Sequence, residues 1–216
     1  MLRTPAEVLD TWFAGDVGDA SAMQARIAKL FTVDPAFDEE LRGAYAPLVE
    51  QALAGALDDW IGECRSALAL VILLDQLPRN LFRGSARAFA GDARAQRVAL
   101  HAFAAGFDRA LAPIEQVFFY MPFEHAEDMH LQERCVAGYE ALRRSATPEF
   151  VTLMDEVVAA GHAHRAVVAR FGRFPHRNDA LGRASTVAER AWLAENRHGW
   201  GQGAADLELC QASARQ

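Results

Sequence analysis

Three short segments of this chain gather side chains that could bind charge or move protons. Arg170-Phe-Gly-Arg-Phe-Pro-His-Arg-Asn178 places Arg170, Arg173, His176 and Arg177 within eight residues, interleaved with Phe171 and Phe174. Guanidinium groups this close repel one another, so something negative is expected opposite them. Leu73 to Arg87, LLDQLPRNLFRGSAR, carries Asp75 near the end of a greasy stretch, followed by Arg79, Asn80 and Arg83. A carboxylate on such a stretch needs a cationic or donor partner, because an unpaired buried charge is costly. Tyr120 to His130, YMPFEHAEDMH, supplies Glu124, His125, Glu127 and Asp128. A helix restarting near Pro122 would set Glu124, Glu127 and Asp128 along one side, the natural complement of the arginine loop.

The chemistry these residue types suit is capture of a small anion, a carboxylate or a phosphate. Arginines fork onto such groups, and phenylalanines wall the pocket. Arg79, Asn80, Arg83, Glu124, Arg170, Arg173, Phe174 and Arg177 are the candidate ligand-binding residues. Arg79, Arg83, Arg170, Arg173 and Arg177 outnumber the carboxylates recognisable nearby, and that excess is what favours an anion. His125 or His176 would be the titrating group of a reaction, with Asp128 to orient it. The competing reading is a structural charge network that staples the last helices to the middle ones.

Other chemistries have less behind them. Glu127-x-x-His130 and Glu195-x-x-His198 match the spacing found in di-iron bundles, yet two further helices offer no partner glutamates. His162 and His164 point to different sides of a helix. Neither a metal nor a cofactor is expected. Cys64, Cys135 and Cys210 form no CxxC pair, which leaves no disulfide framework or zinc knuckle and suits a reducing cytoplasm. No nucleophile elbow or glycine-rich phosphate loop is present. Cys135, Trp12, Phe13, Phe118, Phe119 and Tyr120 read as core.

The elements that must position these residues are helices. Thr4-Pro-Ala-Glu7 and Thr186…Glu189 are capping boxes, and Asp34-Pro35 and Thr147-Pro148 repeat the start signal. Apolar residues follow at three- and four-residue steps, with no sustained alternation bounded by tight turns. The spacing predicts helices over 5–14, 22–31, 35–58, 63–77, 92–106, 113–120, 123–144, 148–171 and 187–196. The segment 63–77 is apolar nearly all round and should be the central buried helix. Pro78 should set a turn that brings out Arg79, Asn80 and Arg83, and Pro122 should break its helix. Gly172 suits a left-handed helix end, so the arginine loop projects from there.

Bulk properties set the frame. With 216 residues, half of them apolar and a quarter charged, the chain can bury one substantial core. A net charge of -7 argues against general binding to nucleic acid or an anionic membrane. The N-terminus lacks a signal-peptide pattern, and the longest greasy run, 67–74, is far too short to span a bilayer. The expectation is a cytoplasmic, all-α protein: one domain over 1–198 and a loosely held tail over 199–216 with Trp200 as its anchor.

The motifs LLDQLPRNLFRG, YMPFEHAEDMHLQER and RFGRFPHRN, in this order, resemble the bacterial family catalogued as domain of unknown function 924. The resemblance implies a TPR-like helical fold of antiparallel helix pairs and brings no substrate with it. A TPR-like groove for a peptide or protein partner is the second functional reading beside the anion pocket.

Overall fold

The computed structural model of the chain describes residues 3–15 and 17–203. Among these the only regular structure is helical: α1 (Pro5–Phe13), α2 (Ala20–Phe31), α3 (Pro35–Ala54), α4 (Cys64–Val71), α5 (Leu77–Leu81), α6 (Asp92–Ala104), α7 (Pro113–Glu124), α8 (Met129–Ser145), α9 (Val151–Phe171) and α10 (Val187–Glu195). Short 3-10 turns connect several of them. No described helix is long and apolar enough to cross a membrane.

Both capping boxes form. The Thr4 and Thr186 hydroxyls accept from the Glu7 and Glu189 amides, and each glutamate accepts in return from the threonine amide. The greasy segment is the hub. Every residue from Ala67 to Asp75 has zero exposure, and α1, α6 and α7 all pack on α4. Consecutive helices pack side by side, α7 on α8 and α8 on α9. Gly138 permits the first of these contacts, since a Cβ there would lie 2.2 Å from the Tyr120 ring. One contiguous core draws on α1 to α9, with a small satellite of Val167, Val168 and Phe174 under the arginine loop.

Several helix boundaries differ from the sequence reading: α3 stops at Ala54, where Gly55 turns left-handed, and both proline sites depart from it. Pro78 makes no turn; it sits inside the first turn of α5, directly continuing the buried helix. Pro122 also lies within its helix, and α7 runs on to Glu124. The break comes at 125–128 instead, because Asp128 adopts an extended backbone and its side chain accepts from the Leu131 amide at 3.0 Å. An N-cap of this kind fixes where α8 begins. Glu124, Glu127 and Asp128 therefore share no helix face.

Candidate functional site

The buried helix delivers its carboxylate through a local irregularity. Pro78 has no N–H to give the Leu74 carbonyl, and the ladder widens into a π-helical turn, Ile72–Gln76, closed by Leu77 N–H donating to Ile72 O. π turns recur at functional sites because they re-aim side chains. The Leu74 carbonyl lies against Gly91, where a Cβ would come within 2.1 Å of its oxygen. Asp75 sits in this turn with no solvent exposure.

Three groups neutralise it. His125 Nδ1 lies 2.9 Å from both carboxylate oxygens, Gln76 Nε2 donates at 2.6 Å, and the Arg79 guanidinium is 3.4 Å away. Burial pushes the Asp75 carboxyl upward, but Arg79 and His125 outweigh it and the group stays ionised, far below the usual carboxylate range. His125 is also shifted below its ordinary value. Burial, and then the Arg79 charge, hold its proton affinity down against the pull of Asp75. A neutral ring beside an ionised carboxylate donates through Nδ1–H, leaving the lone pair on Nε2. Gln132, fully buried on α8, fixes the turn that carries His125 by donating to the Glu124 and Ala126 carbonyls.

A second histidine–carboxylate pair stands beside the first. His164 Nδ1 lies between the Ala160 carbonyl, at 2.9 Å, and Glu124 Oε1, at 3.1 Å, and Tyr139 donates to Glu124 Oε2 at 2.9 Å. Burial raises Glu124, but His164 and the hydrogen bonds it receives keep it below its ordinary value. The His125 and His164 rings are 5.9 Å apart.

Both histidines line a cavity of about 270 Å³, with Gln76, Arg79, Asn80, Arg83 and Glu124 on the polar side and Leu30, Phe31, Met121 and Trp200 on the apolar side. Gly199-Trp-Gly-Gln-Gly203 closes it. Gln202 Nε2 donates to the Arg79 carbonyl at 2.8 Å, its Oε1 accepts from Gly84 N–H at 3.2 Å, and Arg83 donates to the Gly201 carbonyl. Trp200 stacks on His164 at 4.0 Å. The glycines are required. Gly201 has φ +79° and a Cβ there would sit 2.9 Å from the Arg83 guanidinium, while a Cβ on Gly199, φ +46°, would meet His176 at 2.9 Å. Residues 199–203 are thus tied down, and the remainder of the tail, 204–216, lies outside the described residues.

Arg79, Asn80, Arg83, Glu124 and His125 are brought to this one cavity; the arginine loop, 170–178, is not. Arg177 is buried behind it, clamped between the Phe89 and Phe174 rings at 4.7 and 4.5 Å with Nη1 3.0 Å from Asp92. Arg173 forks onto Glu189 at 2.7 and 2.9 Å, and Arg170 is exposed over Phe171. Glu127 answers Arg183 and the Phe174 amide. His176 is packed against Phe174 and Trp200, off the cavity wall. Asp128 is exposed at its cap, so the carboxylate that orients His125 is Asp75.

The expected surplus of arginine is also absent. Arg79, Arg83 and Arg177 face Asp38, Asp75 and Asp92: Arg79 bridges Asp75 and Asp92, Arg177 shares Asp92, and Arg83 holds Asp38 at 3.0 Å. Sequence reasoning missed Asp38, Asp92 and His164 because each is distant in the chain, and the strap because its Gly-x-Gly-x-Gly pattern resembled a loose end.

Residues 8–197 match the family described as bacterial protein of unknown function (DUF924). The chain belongs to this family. A solved protein of unknown function from Agrobacterium tumefaciens is similar to this DUF924 protein with 36% identity and a TM-score of 0.74, over 88% of this chain and 97% of that one. No curated protein matches it. The strap over 199–203 lies beyond the segment that defines the DUF924 match.

Proposed function

We propose that this protein is an enzyme acting on a small molecule held in the cavity, with His125 as its general base. The observation that carries this reading is His125 Nδ1 lying 2.9 Å from both oxygens of buried Asp75 while the ring lines the cavity. Asp75 fixes the tautomer and would stabilise the imidazolium that forms when Nε2 takes a proton. Gln76, Arg79 and Asn80 offer donors to a ligand oxygen, and Leu30, Phe31, Met121 and Trp200 receive an apolar body. His164, backed by Glu124, is placed to return a proton on the same wall.

The guanidiniums are already paired, so a hydroxyl, a carbonyl or a single carboxylate suits the polar end better than a phosphate. A peptide-binding face would need contiguous exposed apolar residues; Leu100, Leu181 and Val187 sit on separate segments, and the other two exposed large ones, Phe31 and Trp200, border the cavity itself.

The test is a fluorescence and thermal-shift screen of small hydroxylated and carboxylated compounds, followed by turnover assays on the hits. His125→Gln should lower turnover by about 10² or more, and Arg170→Ala should leave it unchanged. Turnover of a hit that survives His125→Gln would overturn the assignment.

A further inference from the structure

Four residues of the cavity wall, Phe31, Met121, Glu124 and Ala160, also line a second cavity of about 220 Å³. The two hollows adjoin, and the same three helices wall both. On α9, Leu153, Val157, Ala160 and His164 recur at four-, three- and four-residue steps, which is one stripe of a helix. On α7, Val117, Met121 and Glu124 do likewise, and α2 contributes Ile27 and Phe31. At a rise of 1.5 Å per residue, the α9 stripe is about 16 Å long. Gln24 of α2 reaches across to Glu156 of α9 at 3.4 Å at the far end.

We infer that the site accepts an elongated ligand, with its polar head at His125 and a flexible aliphatic tail laid along this stripe towards Leu153. The inference rests on the reading of the His125 cavity given above and adds the class of molecule it takes. Ile27, Val117, Leu153 and Val157 give the tail channel its apolar lining, with Tyr139 beside Glu124 and Glu156, which Gln24 engages, at its edge. The buried carboxylate beside it, Glu124, is already engaged by His164 and Tyr139, so it asks nothing of a ligand. An aliphatic chain gains by leaving water for such a channel, and a polar one would lose its hydration there.

Straight-chain 1-alkanols from butanol to octanol, and the carboxylates of the same lengths, are the probes, with Trp200 fluorescence and thermal shift as readouts. Each added methylene should tighten binding about fourfold until the channel is full. Val157→Phe, at a residue that lines the second cavity and not the first, should leave butanol binding unchanged and weaken octanol binding at least tenfold. Val157→Gln, at the same position, should show the same selective loss and serves if the first variant misfolds. Short probes that bind through His125 with no gain from length, or length dependence untouched by both variants, would overturn the tail and spare the His125 site. Binding of every probe unaffected by His125→Gln would overturn both.

Discussion

The imidazole of His125 and the carboxylate of Asp75, fifty residues apart in the chain, meet at 2.9 Å inside the protein, and Asp75 has no solvent exposure. Removing that charge leaves Arg79 with Asp92 alone, takes the acceptor from Gln76 and frees the His125 ring. Asp75→Asn should therefore cost about 3–5 kcal/mol in urea unfolding, the scale of a broken buried pair. Asp128→Asn keeps an N-cap acceptor at an exposed site and should stay within about 0.5 kcal/mol of wild type. Equal effects from the two would remove Asp75 from its central position.

Gly91 tests the origin of the π turn. A methyl group there meets the Leu74 carbonyl oxygen at 2.1 Å, and a backbone oxygen cannot swing away as a side chain can. Gly91→Ala should destabilise by about 1–3 kcal/mol and weaken any ligand bound at His125, because Asp75 shifts with its turn. A stable variant with unchanged binding would show that the turn is indifferent to this contact.

The arginines of the loop should respond very differently to the same change. Arg177 is a flat cation between two phenyl faces, and burial lowers its affinity for a proton to about 10 although Asp92 opposes this. Lysine cannot stack in that slot, so Arg177→Lys should cost about 2 kcal/mol in chemical unfolding. Arg170→Lys, on the exposed surface, should change stability by less than about 0.5 kcal/mol.

Acid should weaken the fold through histidine before it reaches the carboxylates. Burial, then the Arg177 and Arg79 charges, hold His176 well below its ordinary value, and Nδ1 has no partner among the described residues. The folded protein keeps this ring neutral, whereas the unfolded chain takes up its proton near pH 6.5. The unfolded state thus binds more protons below that point, and the stability present above about pH 6.5 is lost as pH falls. His176→Gln should flatten the stability profile between about pH 6 and 5 by up to about 1.4 kcal/mol per pH unit. An unchanged slope would mean that His176 titrates alike in both states.

Local signals made the helices legible. Thr4 with Glu7 and Thr186 with Glu189 form the caps their spacing announces, and the unbroken apolar run at 67–74 becomes the hub. What sequence could show of the candidate site was which segments carry unusual polar residues, not which partner each takes. Asp38 and Asp92 look like ordinary surface acids, but packing turns them inwards onto Arg83, Arg79 and Arg177. The proline at 78 reads as a turn and instead widens a helix, because the missing N–H is absorbed by a π turn rather than by a break. Trp200 reads as a lone anchor, while the glycines on either side allow the close approach that seats it on His164.

The tautomer of His125 tests the account most directly, and nitrogen-15 NMR of the ring at neutral pH reads it. A neutral ring protonated on Nδ1, with Nε2 bare and sensitive to cavity ligands, is the predicted result. A ring protonated on Nε2, or doubly protonated, would contradict it, since His125 would then hold no lone pair facing the cavity.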